Sequence, residues 1–103
     1  MAKPIKWTDS AKLCRRNILE FWVRRTGNKK YSKKLAHVWN QRLDYLKEHP
    51  ELGKETEISD VRTTACGHFS IFFINDSAEI IIVGIYDTRD NPEKIVSYLK
   101  KSK

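Results

Sequence analysis

The stretch from His68 to Pro92, HFSIFFINDSAEIIIVGIYDTRDNP, restricts what this chain can fold into more than any other. Phe69, Ile71 and Phe73 alternate with Ser70, Phe72 and Ile74, so an extended backbone carries apolar groups on both faces. Glu79–Tyr86 repeats that character, with Ile80, Ile82 and Gly84 on one face and Ile81, Val83 and Ile85 on the other. The short polar side chains of Asn75, Asp76 and Ser77 between the two runs favour a tight reversal. The pattern predicts an antiparallel hairpin. A strand pair of this kind cannot stand alone in water, and at least one face must be covered. Because both faces are apolar, part of the sheet is left for the terminal segment or for a partner to cover.

The first half of the chain supplies the cover. Pro4–Trp7 reads as a short edge strand, and Thr8, Asp9 or Ser10 can cap a helix from about Ser10 to Thr26 that ends at Gly27. Ala11, Cys14, Ile18, Phe21 and Trp22 fall in one helical stripe, and Leu19 and Val23 form a narrower one suited to helix packing. Asn28 can cap a second helix from about Lys29 to His49, closed by Pro50 and Gly53. Its apolar face holds Tyr31, Leu35, Val38, Trp39, Arg42 and Leu46, with His37 nearly opposite. The link Thr26–Asn28 is so short that the helices must form an antiparallel hairpin. Lys54–Ala65 reads as a loop entering a strand at Val61–Ala65, and Cys66, Gly67 and His68 turn it back. Asn91, Pro92 and Glu93 start a short terminal helix with Ile95, Val96 and Leu99 on its apolar side. Helical and strand patterns segregate along residues 1–103, so the expectation is a single α+β domain. It consists of an N-terminal edge strand, a helix hairpin on an antiparallel sheet of about four strands, and a short C-terminal helix.

Charge follows the same division. Residues 1–50 hold 13 Lys/Arg against 4 Asp/Glu, a balance of +9. Residues 51–103 hold 7 against 9, a balance of −2. The helical half is therefore the basic half, which fits a polyanionic partner such as nucleic acid or an acidic peptide. No window approaches the length of apolar sequence needed to span a membrane, and MAKPIKWTDSAK lacks the apolar region of a signal peptide. With only Cys14 and Cys66, and no disulfide spacing between them, a cytoplasmic location is expected.

Cys66 and His68 are the only close pair of soft ligands, so no metal or cofactor is expected. Cys14 lies in a core stripe, and no Gly-rich phosphate loop or nucleophile elbow is present. The polar groups framing the sheet are Lys54, Arg62, Ser70, Thr88, Arg89 and Tyr98. Cutting a phosphodiester without metal requires a base, a cation for the developing charge and an acid for the leaving oxygen. Lys54, Arg62, Arg89 and Tyr98 are the candidates for such work. Arg62 and Arg89 can equally pair with Asp60, Asp87 or Asp90 as structural ion pairs.

Five passages, taken in order, resemble the RelE/ParE superfamily of type II toxins. They are IKWTDSA, FWVRRTGNKKYSKKL, HPELGKETEI, VRTTACGHFSIFFIND and IYDTRDNPEKI, and together they cover nearly the whole chain. They look most like the ParE-like, plasmid-stabilisation branch. The resemblance implies a small growth-inhibiting toxin neutralised by a cognate antitoxin whose C-terminal segment wraps it. Ribosome-dependent members cleave mRNA with basic residues on the concave sheet face, whereas ParE members poison DNA gyrase. Cleaving members often carry arginine in a strand pattern G-x-Y-R; here Gly67-His68-Phe69-Ser70 puts serine in that place. Only Arg89 of Asp87-Thr88-Arg89 matches the basic cluster after the last strand, and Tyr98 stands where some cleaving members have a C-terminal tyrosine. The reading is therefore a ParE-like binder of gyrase. The alternatives are a nuclease acting on the ribosome and mRNA, or a degenerate member that binds only its antitoxin. Arg24, Arg25, Lys29, Lys30, Lys33 and Lys34 are the expected antitoxin contacts.

Overall fold

A computed structural model describes residues 3–89 together with Glu93, Ile95 and Ser97. After strand β1 (Ile5–Trp7), Thr8 takes an extended conformation and its hydroxyl accepts the Ala11 N–H at 3.1 Å. That bond satisfies an amide with no partner inside the helix, and helix α1 runs from Asp9 to Thr26. Gly27 ends it at φ 76°, donating its N–H to the Val23 carbonyl. Asn28 Oδ1 then accepts the Lys30 N–H at 2.9 Å, and helix α2 follows over Lys30–Glu48. The Ser32 hydroxyl, buried between the helices, donates to the Leu19 carbonyl at 2.6 Å and ties the hairpin together. A 3-10 turn at Pro50–Leu52 leads into β2 (Lys54–Glu55), β3 (Val61–Cys66), β4 (Phe69–Asn75) and β5 (Ile80–Asp87).

The sheet differs from the expectation of about four antiparallel strands. It has five, in the order β1-β5-β4-β3-β2, and β1 lies parallel to β5 with Ile5 opposite Ile80 and Trp7 opposite Ile82. A three-residue strand carries no local sign of its direction, which is set by the helix hairpin that follows it. The added strand β2 is two exposed charged residues paired to β3, so no alternation could reveal it. Charged and short, it blunts the sheet's second edge.

A register shift between Phe72 and Phe73 corrects the facial reading of β5. Phe73 lies opposite Ile82, but Phe72 lies opposite Gly84, leaving Val83 as the extra residue. Ile85 therefore joins Ile80 and Ile82 beneath the helices, and Gly84 moves to the outer face with Phe72. The inner core comprises Phe69, Ile71, Phe73, Ile80, Ile82 and Ile85 against Ala11, Leu35, Trp39, Leu43 and Leu46. Trp39 meets the edge of Phe69 with ring centres 5.5 Å apart. Leu43, absent from the expected α2 face, is buried, whereas Arg42 is only half-buried.

The outer face is also partly covered. Val61, Val83 and Tyr86 pack there with Ile58, while Phe72, Ile74, Ile81 and Ile95 remain half-buried beside them. Glu93, Ile95 and Ser97 are helical, in keeping with the expected terminal helix. Asp90, Asn91, Pro92, Val96, Tyr98 and Leu99 lie outside the described residues. Among the described residues no helix is long and apolar enough to cross a membrane.

Candidate binding groove and basic helix tip

Strand alternation separates the residues expected to act together. Residues directly opposite one another in neighbouring strands share a face, and residues two apart in one strand share it too. Ser70 pairs with Ala65 and Tyr86, and Phe72 with Thr63, so Ser70 looks outward from the helices. Arg62 pairs with Phe73, whose ring is fully buried in the inner core, so Arg62 stands on the opposite face from Ser70. It is half-buried there, with Nη1 donating to the Gly53 carbonyl at 3.0 Å. Lys54 pairs with Thr63 and shares the outer face with Ser70, exposed at the sheet's edge. Tyr98 lies outside the described residues.

Arg89 is held by an acid. Its Nε donates to Asp87 Oδ1 at 2.9 Å, its Nη2 to Oδ2 at 2.6 Å, and its backbone N–H to Oδ1 at 2.8 Å. The hydrogen bonds from the Arg89 side chain hold the Asp87 carboxyl below its ordinary range, against a smaller opposing effect of burial. The Thr88 N–H and hydroxyl both reach the His68 carbonyl, at 2.8 and 3.0 Å, which clamps the end of β5 to the β3–β4 turn. Cys66, at that turn, is buried and donates to the Val38 carbonyl at 3.7 Å. Burial raises its thiol pKa despite the nearby Arg42, so the neutral, unreactive form prevails. Among the described residues no three His, Cys, Asp or Glu side chains come together as a metal cluster.

The residues instead build a groove, a feature that the sequence did not disclose. β1 accompanies β5 only as far as Ile82, where the Thr8 N–H meets the Ile82 carbonyl at 3.1 Å and the chain turns into α1. Beyond that point the flank of β5 is faced by α1, and the two enclose about 630 Å³. Cys14, Ile18, Phe21 and Trp22 line the helix side, Phe69, Ile85 and Tyr86 the sheet side, and Arg25, Asp87 and Arg89 the polar rim. Phe21 was expected in the core stripe, yet 48% of it is exposed. The stripe drifts off the sheet toward the C-terminal end of α1, where Phe21 leans edge-on against Trp22 and Trp22 against Tyr31. Arg25 lies over the Trp22 ring at 6.0 Å.

Beyond the groove the helix hairpin ends in cations. Arg24, Arg25, Lys29, Lys30, Lys33 and Lys34 are all exposed. The first turn of α2 contains no acid, and Lys29 at its N-cap makes no side-chain capping bond.

No family model matches the chain. No curated protein matches it either. Among solved structures it is similar to a chain of the chromosomal ParDE TA system from P. aeruginosa, at 23% identity and a TM-score of 0.73. The alignment covers 84% of this chain and 96% of that one. The resemblance read in the sequence thus holds at the level of the fold, which is that of a ParE-like α+β domain.

Proposed function

We propose that this chain is the toxin of a type II toxin–antitoxin pair. In this reading it acts by binding a cellular target, DNA gyrase, and a cognate antitoxin neutralises it. The observation that carries this over RNA cleavage is the separation of the cations. Arg62 and Ser70 stand on opposite faces, and Arg89 is committed to Asp87. A neutral Ser70 offers no charge to a developing phosphorane, and one such stabilising contact is worth roughly 3 kcal/mol. The likeness to a ParDE system supports an antitoxin partner. The apolar groove between α1 and β5 offers pockets for the side chains of an antitoxin segment. Arg24, Arg25, Lys29, Lys30, Lys33 and Lys34 lie at the same end of the helices and would attract acidic residues of that segment.

The test is induction in cells without antitoxin, followed by separate assays of gyrase supercoiling and of ribosome-bound mRNA. Growth arrest with impaired supercoiling and intact mRNA is expected, and Arg62→Ala or Arg89→Ala should weaken toxicity only slightly. Discrete A-site cuts would replace this reading with the nuclease one. That second reading has one observation in its favour, since Lys54, Thr63 and Ser70 share the outer face; Lys54 would then be its first catalytic candidate. No growth effect, with antitoxin binding retained, would identify a member that binds only its antitoxin.

A further inference from the structure

From Phe21 to Leu43 the chain contains no Asp or Glu, yet it holds seven Lys/Arg. Six of them, Arg24, Arg25, Lys29, Lys30, Lys33 and Lys34, gather at one end of the helix hairpin. None of the six joins an ion pair among the described residues. Arg24 and Arg25, in the last turn of α1, suit the dipole of that helix, but the four lysines do not stabilise the fold by their position. Lys30 and Lys33 lie in the first turn of α2, with Lys29 at its cap and Lys34 just beyond, where the helix dipole is already positive and acids are preferred. A set of like charges that opposes the local preference of its helix, with no compensating partner, marks a surface shaped by something outside the chain.

We propose that this tip binds the phosphate backbone of duplex DNA without regard to sequence. The lack of a groove at the lysines favours DNA over a peptide. Peptides dock in grooves or on sheet edges that supply side-chain pockets. The lysines line none of the best-formed grooves among the described residues; all four are exposed, at the cap and in the first turns of α2. Lysine, a mobile point charge without the planar fork of arginine, suits phosphates and not base edges. The inference does not depend on the chain being a toxin. If it is one, an antitoxin drawn to the same cations and a DNA duplex exclude one another at the tip.

The test uses the full-length chain and a fluorescent 20-base-pair duplex of arbitrary sequence, with anisotropy read between 50 and 200 mM KCl. Six phosphate contacts give a slope of log K against log salt of about −5, an affinity loss of about a thousandfold over that range. Replacing Lys29, Lys30, Lys33 and Lys34 by Gln should reduce the slope to about −2, whereas Arg at the same four positions should preserve it. Gln at Lys6, Lys12, Lys47 and Lys54 removes the same charge from elsewhere and should leave the slope near that of the parent. Absence of salt-dependent binding, or an unchanged slope in the tip Gln variant, overturns the proposal. So does an equal loss in the distant Gln variant, or tighter binding of polyglutamate of matched charge at the same salt.

Discussion

Asp87 and Arg89 show how one pairing removes a charge from service. Bidentate geometry fixes the guanidinium plane against the carboxylate, and the Arg89 backbone N–H completes the clasp. With Arg89 68% exposed, the pair contributes at most about 1 kcal/mol. Its pH dependence follows from the depressed carboxyl pKa in the folded state. Such a group stabilises the fold fully above the unfolded carboxylate value of about 4, and the contribution disappears as pH falls through the lower folded value. Asp87→Asn should therefore lower the melting temperature by a few degrees at pH 7, and the gap to the parent should narrow as pH falls below about 4. A gap that stayed constant across that range would show that the carboxylate's charge is not what stabilises this corner.

At the scale of elements, two glycines distinguish steric crowding from backbone strain. Gly53, which carries the chain from the 3-10 turn into β2, has an ordinary extended conformation at φ −68°. A Cβ there would run into the Phe73 ring and come within 2.9 Å of Arg62 Cβ. Phe73 is fully buried and cannot yield, so Gly53→Ala should cost about 1–3 kcal/mol through overpacking. Gly67, in the β3–β4 turn, has open space around it but sits at φ 65°. Gly67→Ala should cost about 1–2 kcal/mol from left-handed strain alone. Urea unfolding measures both. Combining Gly53→Ala with Phe73→Leu should recover part of the first loss, whereas the same Leu should do nothing for Gly67→Ala.

Across the whole molecule, the basic tip and the apolar groove meet at Arg25 but act through different forces. Apolar burial is not screened by salt, whereas attraction between exposed charges is screened within roughly 10 Å at 0.1 M salt. Reversing Lys29, Lys30, Lys33 and Lys34 to Glu should therefore weaken antitoxin affinity strongly at low salt and much less at high salt. Phe21→Asp, which puts a charge at the apolar wall of the groove, should weaken it at every ionic strength. Calorimetric titration at two salt concentrations separates the two effects. Unchanged affinity in the lysine variant would exclude the tip from the antitoxin interface.

Local chemistry decided much of this protein before any tertiary contact. The Thr8 cap, the stop at Gly27, the helix hairpin and the strand cores around Phe69–Ile74 and Ile80–Ile85 all follow from residues within a few positions of one another. The basic half is equally a property of the sequence. What only the folded chain decided depends on partners distant in sequence. The direction of β1, the pairing of Lys54–Glu55 and the register shift opposite Phe72 are each set by a neighbouring strand, not by the residues' own pattern. The facial separation of Arg62 from Ser70 was implicit in their even spacing only once the β3–β4 register was known. Two residues in different strands share a face according to which pairs with which, and a shift of one residue reverses the answer. The groove arose the same way, because β1 stops at Trp7 and leaves the rest of β5 to face a helix.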